Sequence, residues 1–295
     1  MPETIPTPVK SFASEISSPV AVIGCRTSEI SLDCCEYDLA IFEQSVEDKS
    51  TNHVMKIGNH SVELMHFRGA IKNHVIGLAN MIILKDNNKL TLSSAAKDIV
   101  AEKYKKMLVA SGKKSLISSL LCQQKMLATK HPVVAAMWLK IAAYELVDGI
   151  IALSGNRPMP LHILEQIRKI DSKRAEGVEV ALECIGAERA TRPSISRSME
   201  AIKELKSKDY DRELFVSKIR HLLERHMLVD CYYYAGGIAA KNLLTRTETF
   251  YIKYSKLIHR ALDLISDLQS LGRMQKQLDR AAKIGLGGGL PPSYC

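Results

Sequence analysis

Glu36 and Asp38 stand two positions apart, on either side of Tyr37, at the start of the apolar run Leu39-Ala40-Ile41-Phe42. On an extended strand alternate side chains share a face, so the two acids emerge together while Tyr37, Leu39 and Ile41 turn to the opposite side. Neighbouring carboxylates repel, and a divalent cation relieves the repulsion. Hard oxygen ligands suit Mg²⁺ held together with phosphates, so the pair reads as candidate metal ligands. Metal-assisted displacement calls for a third acid from a neighbouring strand. Glu63 is the candidate, because in Ser61-Val62-Glu63-Leu64-Met65-His66-Phe67 it faces away from Val62 and Leu64 on an otherwise apolar stretch. A structural reading stands beside the chemical one: acids at a strand rim are commonly solvated, and Glu63 on an edge strand would discourage aggregation.

The elements that must hold these acids are legible around them. Pro19-Val20-Ala21-Val22-Ile23 reads as a short buried strand stopping at Gly24, and Tyr37 to Phe42 as a second strand. Val54 to Ile57 and Ser61 to Phe67 flank Gly58-Asn59, which predicts an antiparallel hairpin. A helix over about 70–80 leads to a further strand, Met81 to Leu84. Beyond residue 90 the pattern turns helical. His131-Pro132 starts a helix whose dense apolar content to Leu153 predicts burial on all sides, with Met137 and Trp138 in the core. Further helices are expected over 160–186, 194–207, 210–228, 229–243 and 246–283. Tyr232-Tyr233-Tyr234 beside Ala235-Gly236-Gly237 fits close helix packing better than an exposed base-stacking surface. The fold class is therefore α+β: a flexible lead-in over 1–18, rich in Pro, Ser and Thr, a small mixed-sheet domain over 19–90, a mainly α-helical bundle over 91–284, and a flexible tail over 285–295.

Bulk properties narrow the function classes. The 295 residues carry a formal charge of +9, which favours anionic partners such as nucleotides or nucleic acid. Seven scattered cysteines, without zinc-finger spacing for Cys34-Cys35, fit reduced thiols and a cytoplasmic setting. No apolar stretch approaches the length of a membrane span, so no membrane partner is expected. The Gly-rich tail follows a helix and lacks Gly-Lys-Ser/Thr, which excludes a phosphate-binding P-loop.

With the apolar strand ending at Gly24-Cys25-Arg26, then Glu36-x-Asp38 about a dozen residues on, then Glu63 and the stretch Ile82-Ile83-Leu84-Lys85-Asp86, residues 19–90 resemble the polymerase-β-type nucleotidyltransferase superfamily. The resemblance implies a minimal nucleotidyltransferase domain followed by a helical bundle. It implies further that Glu36, Asp38 and Glu63 hold Mg²⁺ as catalytic and metal-binding residues, and that the amides of Gly24 and Cys25 with the Arg26 side chain meet the triphosphate. The reaction implied is transfer of a nucleoside monophosphate from an NTP, ATP by default, to a hydroxyl acceptor, which a small molecule, an RNA or a protein would supply. This chain departs from the family pattern in having Cys25 where Ser is usual, Glu29 where many members have a second Gly, and Glu36 and Glu63 in place of Asp. A catalytically inactive descendant serving in binding or regulation is the alternative.

A second resemblance is shorter. Arg220 and His226, in Arg220-His221-Leu222-Leu223-Glu224-Arg225-His226, follow the Arg-x(4–6)-His pattern of HEPN ribonucleases, whose helical bundles accompany nucleotidyltransferases. It implies an RNA-directed module with His226 acting on a 2′-hydroxyl and Arg220 steadying the phosphate. A solvated charged helix face accounts for the same residues.

Overall fold

The computed structural model describes residues 4–43, 52–68, 75–87, 92–93, 101–205 and 211–287. The chain divides into two compact units, Met1–Met107 and Leu108–Cys295.

The first unit is built on a five-stranded mixed sheet in the order β3-β4-β2-β1-β5. Its strands are β1 (Val20–Ile23), β2 (Tyr37–Glu43), β3 (Asn52–Ile57), β4 (His60–Arg68) and β5 (Ile82–Lys85). β1 runs antiparallel to both β2 and β5, β3 and β4 form the hairpin expected around Gly58-Asn59, and β2 pairs with β4 in parallel. The period-two pattern gives the sheet two buried faces. Val20, Val22, Tyr37, Leu39, Ile41 and Val62 pack on one side against Ile5, Val9 and Ala13 of the N-terminal segment. Ala21, Ile23, Ala40 and Phe42 pack on the other against Leu78 and Leu92.

The N-terminal segment corrects the expectation of a flexible lead-in over 1–18. Residues Thr7–Glu15 form helix α1, with Pro8 in its first turn, where the missing amide costs nothing. Ile5, Val9 and Ala13, four residues apart, present one stripe to the sheet. Lys85 of β5 ties the helix down by donating to the carbonyls of Ser14 and Ile16. Of the helix expected over 70–80, Val75–Leu78 is described as α2; residues 69–74 lie outside the described residues.

The second unit is helical. Helix α3 (Ala101–Ala128) crosses the boundary between the units, and α4 (Pro132–Leu153) forms the core of the bundle, buried on nearly every side as its composition predicts. Met137 and Trp138 are both buried. Gly149 permits a close crossing with α3: a Cβ there would stand 2.7 Å from Leu116 Cδ2. The remaining helices are α5 (Ile163–Ile167), α6 (Ser172–Ile185), α7 (Arg192–Glu204), α8 (Arg212–Glu224), α9 (Leu228–Leu244), α10 (Glu248–Lys253), α11 (Ser255–Leu262) and α12 (Leu268–Gly287). Tyr232, Tyr233 and Tyr234 are all buried, as the adjacent small residues suggest.

Three helical expectations change. The span 160–186 is two helices, because the chain turns through residues 168–171 and Asp171 caps α6 by accepting from the Arg174 amide. The span 246–283 is three. Its main break is at Asp263, which adopts a left-handed conformation (φ 47°). There Asp263 Oδ2 accepts from the Tyr232 hydroxyl at 3.0 Å and pairs with Arg189 at 3.4 Å, while Lys140 Nζ donates to the Leu262 carbonyl and to Tyr232 Oη. Burial pushes the Lys140 amine down to about 7, and the nearby Arg189 adds to the effect. Finally, residues 285–287 of the expected flexible tail belong to α12, and 288–295 lie outside the described residues.

Candidate metal centre

Strand register brings the three acids together. In the parallel β2–β4 pair Asp38 stands opposite Glu63, and neighbouring strands lie about 4.8 Å apart, so both side chains leave the same face at the same level. That is the face of Ala40, Phe42, Met65 and Phe67, where the Phe42 and Phe67 rings stack at 5.5 Å. Toward the start of β2 and β4 this apolar row gives way to acids. Glu36, immediately before β2, completes the group, and one carboxylate oxygen from each of Glu36, Asp38 and Glu63 lies within 4.8 Å of the others. Oxygens on opposite sides of a Mg²⁺ octahedron with 2.0–2.1 Å bonds are separated by about 4.2 Å, so small side-chain rotations fit this donor set to the ion. All three residues are of intermediate exposure.

Gly24 is held to its identity twice over. Antiparallel pairing of Ile23 with Asp38 places the end of β1 beside the acid, and Gly24 turns the chain with φ +80°. A Cβ there would lie 2.0 Å from Asp38 Oδ2. Residues Gly24–Thr27 continue as one 3₁₀ turn, closed by the Thr27 hydroxyl donating to the Gly24 carbonyl at 2.8 Å and the Ser28 hydroxyl donating to the Cys25 carbonyl at 2.7 Å. The Cys25 thiol is pushed up, first by its hydrogen bond with Cys35, then by burial and the neighbouring charges of Cys35, Asp38 and Glu36, so it sits beside the cluster as a protonated thiol.

Arg26 has a different setting from the triphosphate contact that the resemblance implies. Its side chain is 5% exposed, Nε donates to the Cys35 carbonyl at 3.1 Å, and Nη2 donates to the carbonyls of Asp33 and Cys35. The guanidinium also stacks 4.6 Å over the ring of Tyr37, whose side chain belongs to the core on the α1 side rather than to the acidic face. Arg26 thus braces the loop that leads into Glu36. Asp86, at the end of β5, is likewise engaged locally: it accepts from the amides of Asn87, Leu92 and Ser93 and from the Ser93 hydroxyl. Burial works against its ionisation, but those bonds outweigh it and hold the carboxyl below its usual range.

Asn52 was not among the expected site residues. Its Nδ2 donates to Glu63 Oε1 at 3.1 Å. The signal was in the hairpin: counting back from Gly58-Asn59 pairs Val54 with Glu63 and sets Asn52 one diagonal step away on the same face.

Arg220 and His226 do not share a helix, which corrects that expectation. α8 ends at Glu224, and His226 follows it with φ 58°, exposed, its Nδ1 3.5 Å from Arg192 Nη2. Arg220 is also exposed, on the helix itself. No helix among the described residues is long and apolar enough to cross a membrane.

No protein-family model matches the chain, and no curated protein matches it in sequence. Among solved structures, the chain is similar to a nucleotidyltransferase-like protein from Exiguobacterium sibiricum 255-15, at 12% identity over 86% of each chain and a TM-score of 0.34. A likeness of that size assigns no role to any residue.

Proposed function

We propose that the first unit is a Mg²⁺-dependent nucleotidyltransferase domain, moving a nucleoside monophosphate from an NTP to a hydroxyl acceptor. The observation that carries this reading is the meeting of Glu36, Asp38 and Glu63 on one face of the sheet, with Gly24 packed against Asp38 at the end of the preceding strand. In the proposed roles the three carboxylates hold the metal, and the backbone amides of Gly24 and Cys25 meet phosphate oxygens where the absent glycine side chain lets them approach. Mg²⁺ would supply neutralisation of the charge that develops on the transferred group and the departing pyrophosphate. Asn52 orients Glu63, and Arg26 fixes the loop before Glu36. The acceptor belongs to the class of hydroxyl compounds, and the positive charge of the chain favours an anionic donor such as ATP.

The test is a thermal-shift titration with ATP in the presence and absence of Mg²⁺. A metal-dependent rise in melting temperature, lost in Asp38→Ala and Glu63→Ala, supports the reading. No response at millimolar ligand would leave the inactive, binding-type descendant as the better account. The RNA-directed alternative has its own signature: RNA cleavage that survives Glu36→Ala and Asp38→Ala and vanishes with His226→Ala.

A further inference from the structure

The helical unit contains a cavity that the proposed reaction does not use. It has a volume of about 180 Å³ and is lined by residues of α4, α6 and α12. The three helices meet closely at Gly177 of α6, where a Cβ would stand 3.0 Å from Ile150 Cδ1 and 3.7 Å from Ala281 Cβ. Beside that contact the walls are Ile150, Leu153, Val180, Ala281 and Ile284, all buried or half-buried. A cavity of roughly 150 Å³ with apolar walls takes one benzene ring, so this one takes a single ring or a branched chain of similar size. It is too small for a drug-sized ligand.

The polar part of the lining is different in kind. Glu176 of α6 and Gln277 and Arg280 of α12 are exposed, so they stand at the mouth above the apolar walls. Arg174 is already engaged, donating from Nη1 to Ser154 Oγ at 3.3 Å and to Asp171 Oδ2 at 3.2 Å. Glu176 and Arg280 are not: neither makes a hydrogen bond or an ion pair among the described residues, with the other or with any third group. One free acid and one free base therefore border the same apolar cavity without neutralising each other. A carboxylate ligand would answer Arg280 and face a like charge in Glu176, and an amine would answer Glu176 and face Arg280. A ligand that carries one charge of each sign on an apolar body complements the whole lining.

We propose that this cavity is a binding site for a free apolar α-amino acid of the size of leucine or phenylalanine. Its side chain fills the space among Ile150, Val180 and Ile284, Arg280 takes the carboxylate, and Glu176 takes the ammonium group. Gln277, three residues before Arg280 and so on the same side of α12, adds an amide donor to the carboxylate.

The experiment is titration calorimetry of the full chain with L-leucine and L-phenylalanine, against 4-methylpentanoate, which lacks the amine of leucine, 3-methylbutylamine, which lacks its carboxylate, and glycine, which lacks its side chain. One or both amino acids are expected to bind, and each of the three partial compounds to bind at least tenfold more weakly than leucine or not at all. Ala281→Phe, which fills the cavity, should abolish binding. Arg280→Gln and Glu176→Gln should each cost about tenfold or more, the first removing the preference for leucine over 3-methylbutylamine and the second the preference over 4-methylpentanoate. Absence of binding by both amino acids at millimolar concentration overturns the proposal, as does equal binding of leucine and either single-charge compound, or leucine binding that survives Ala281→Phe. Arg280 and Glu176 are exposed, so their variants keep the test decisive if Ala281→Phe fails to fold.

Discussion

Replacing Gly24 by alanine perturbs two properties of the candidate metal centre that can be separated. The first is backbone strain: at φ +80° a Cβ costs roughly 1–2 kcal/mol. The second is steric. The new Cβ would stand 2.0 Å from Asp38 Oδ2, and real Cβ contacts essentially never fall below 3.0 Å, so the carboxylate must retreat by about 1 Å or more. Asp38 has a short side chain anchored on β2 opposite Glu63, so its oxygen moves out of the cluster instead of sliding within it. A displacement of that size costs on the order of 10²-fold where geometry is exacting. Gly58→Ala is the matched control, since Gly58 also has a positive φ (+61°) but nothing within 4 Å of the added Cβ. Both variants should lower the melting temperature of the first unit by about 4–10 °C. Only Gly24→Ala should weaken Mg²⁺-dependent ATP binding, measured by titration calorimetry, by about 10²-fold. Equal metal affinities in the two variants would refute the argument that Gly24 exists to make room for Asp38.

Lys140→Met should change how stability depends on pH. The folded pKa of Lys140 is about 7 against 10.5 when unfolded, so between those values unfolding takes up a proton and native stability rises with pH. Denaturation followed by Trp138 fluorescence should show the native chain gaining up to ~1.4 kcal/mol per pH unit relative to Lys140→Met between pH 7.5 and 9.5; parallel profiles would mean that the amine is not buried as described. Arg26→Met should destabilise the first unit by about 1–3 kcal/mol, because it strips the buried Cys35 carbonyl of a charged donor and the part-buried Asp33 carbonyl of another. A variant of unchanged stability that has lost only ATP affinity would instead restore the phosphate role to Arg26. Glu36→Asp asks whether the departure from Asp is a loss or an adjustment. Glu36 stands one residue before β2, and its longer side chain reaches the cluster from there, so the shorter acid should weaken metal binding by about tenfold or more; tighter binding would mark Glu36 as a decayed ligand.

What could be read from the sequence follows the range of the interaction responsible. The alternation of Glu36, Tyr37, Asp38 and Leu39 is local, and strand and facing both emerged from it. That Glu63 stands opposite Asp38 depends on parallel pairing of β2 with β4, which no local pattern encodes, and its acidic character on an apolar strand was the available hint. Composition misled at the N-terminus: Pro, Ser and Thr suggested a loose segment, yet Ile5, Val9 and Ala13 at fourfold spacing already formed the stripe that docks on the sheet. Arg26 shows a different limit, since an arginine after a glycine turn has the same appearance whether its guanidinium meets phosphate or the chain's own carbonyls. The break at Asp263 was the least accessible feature. Its left-handed backbone is matched by Tyr232, Arg189 and Lys140, all distant in sequence, and Lys140 lay within an apolar helix as an apparent exception. That exception was itself the signal: a lysine on a helix buried all round must have partners for its amine, and helix breaks facing it are where free carbonyls and acids are found.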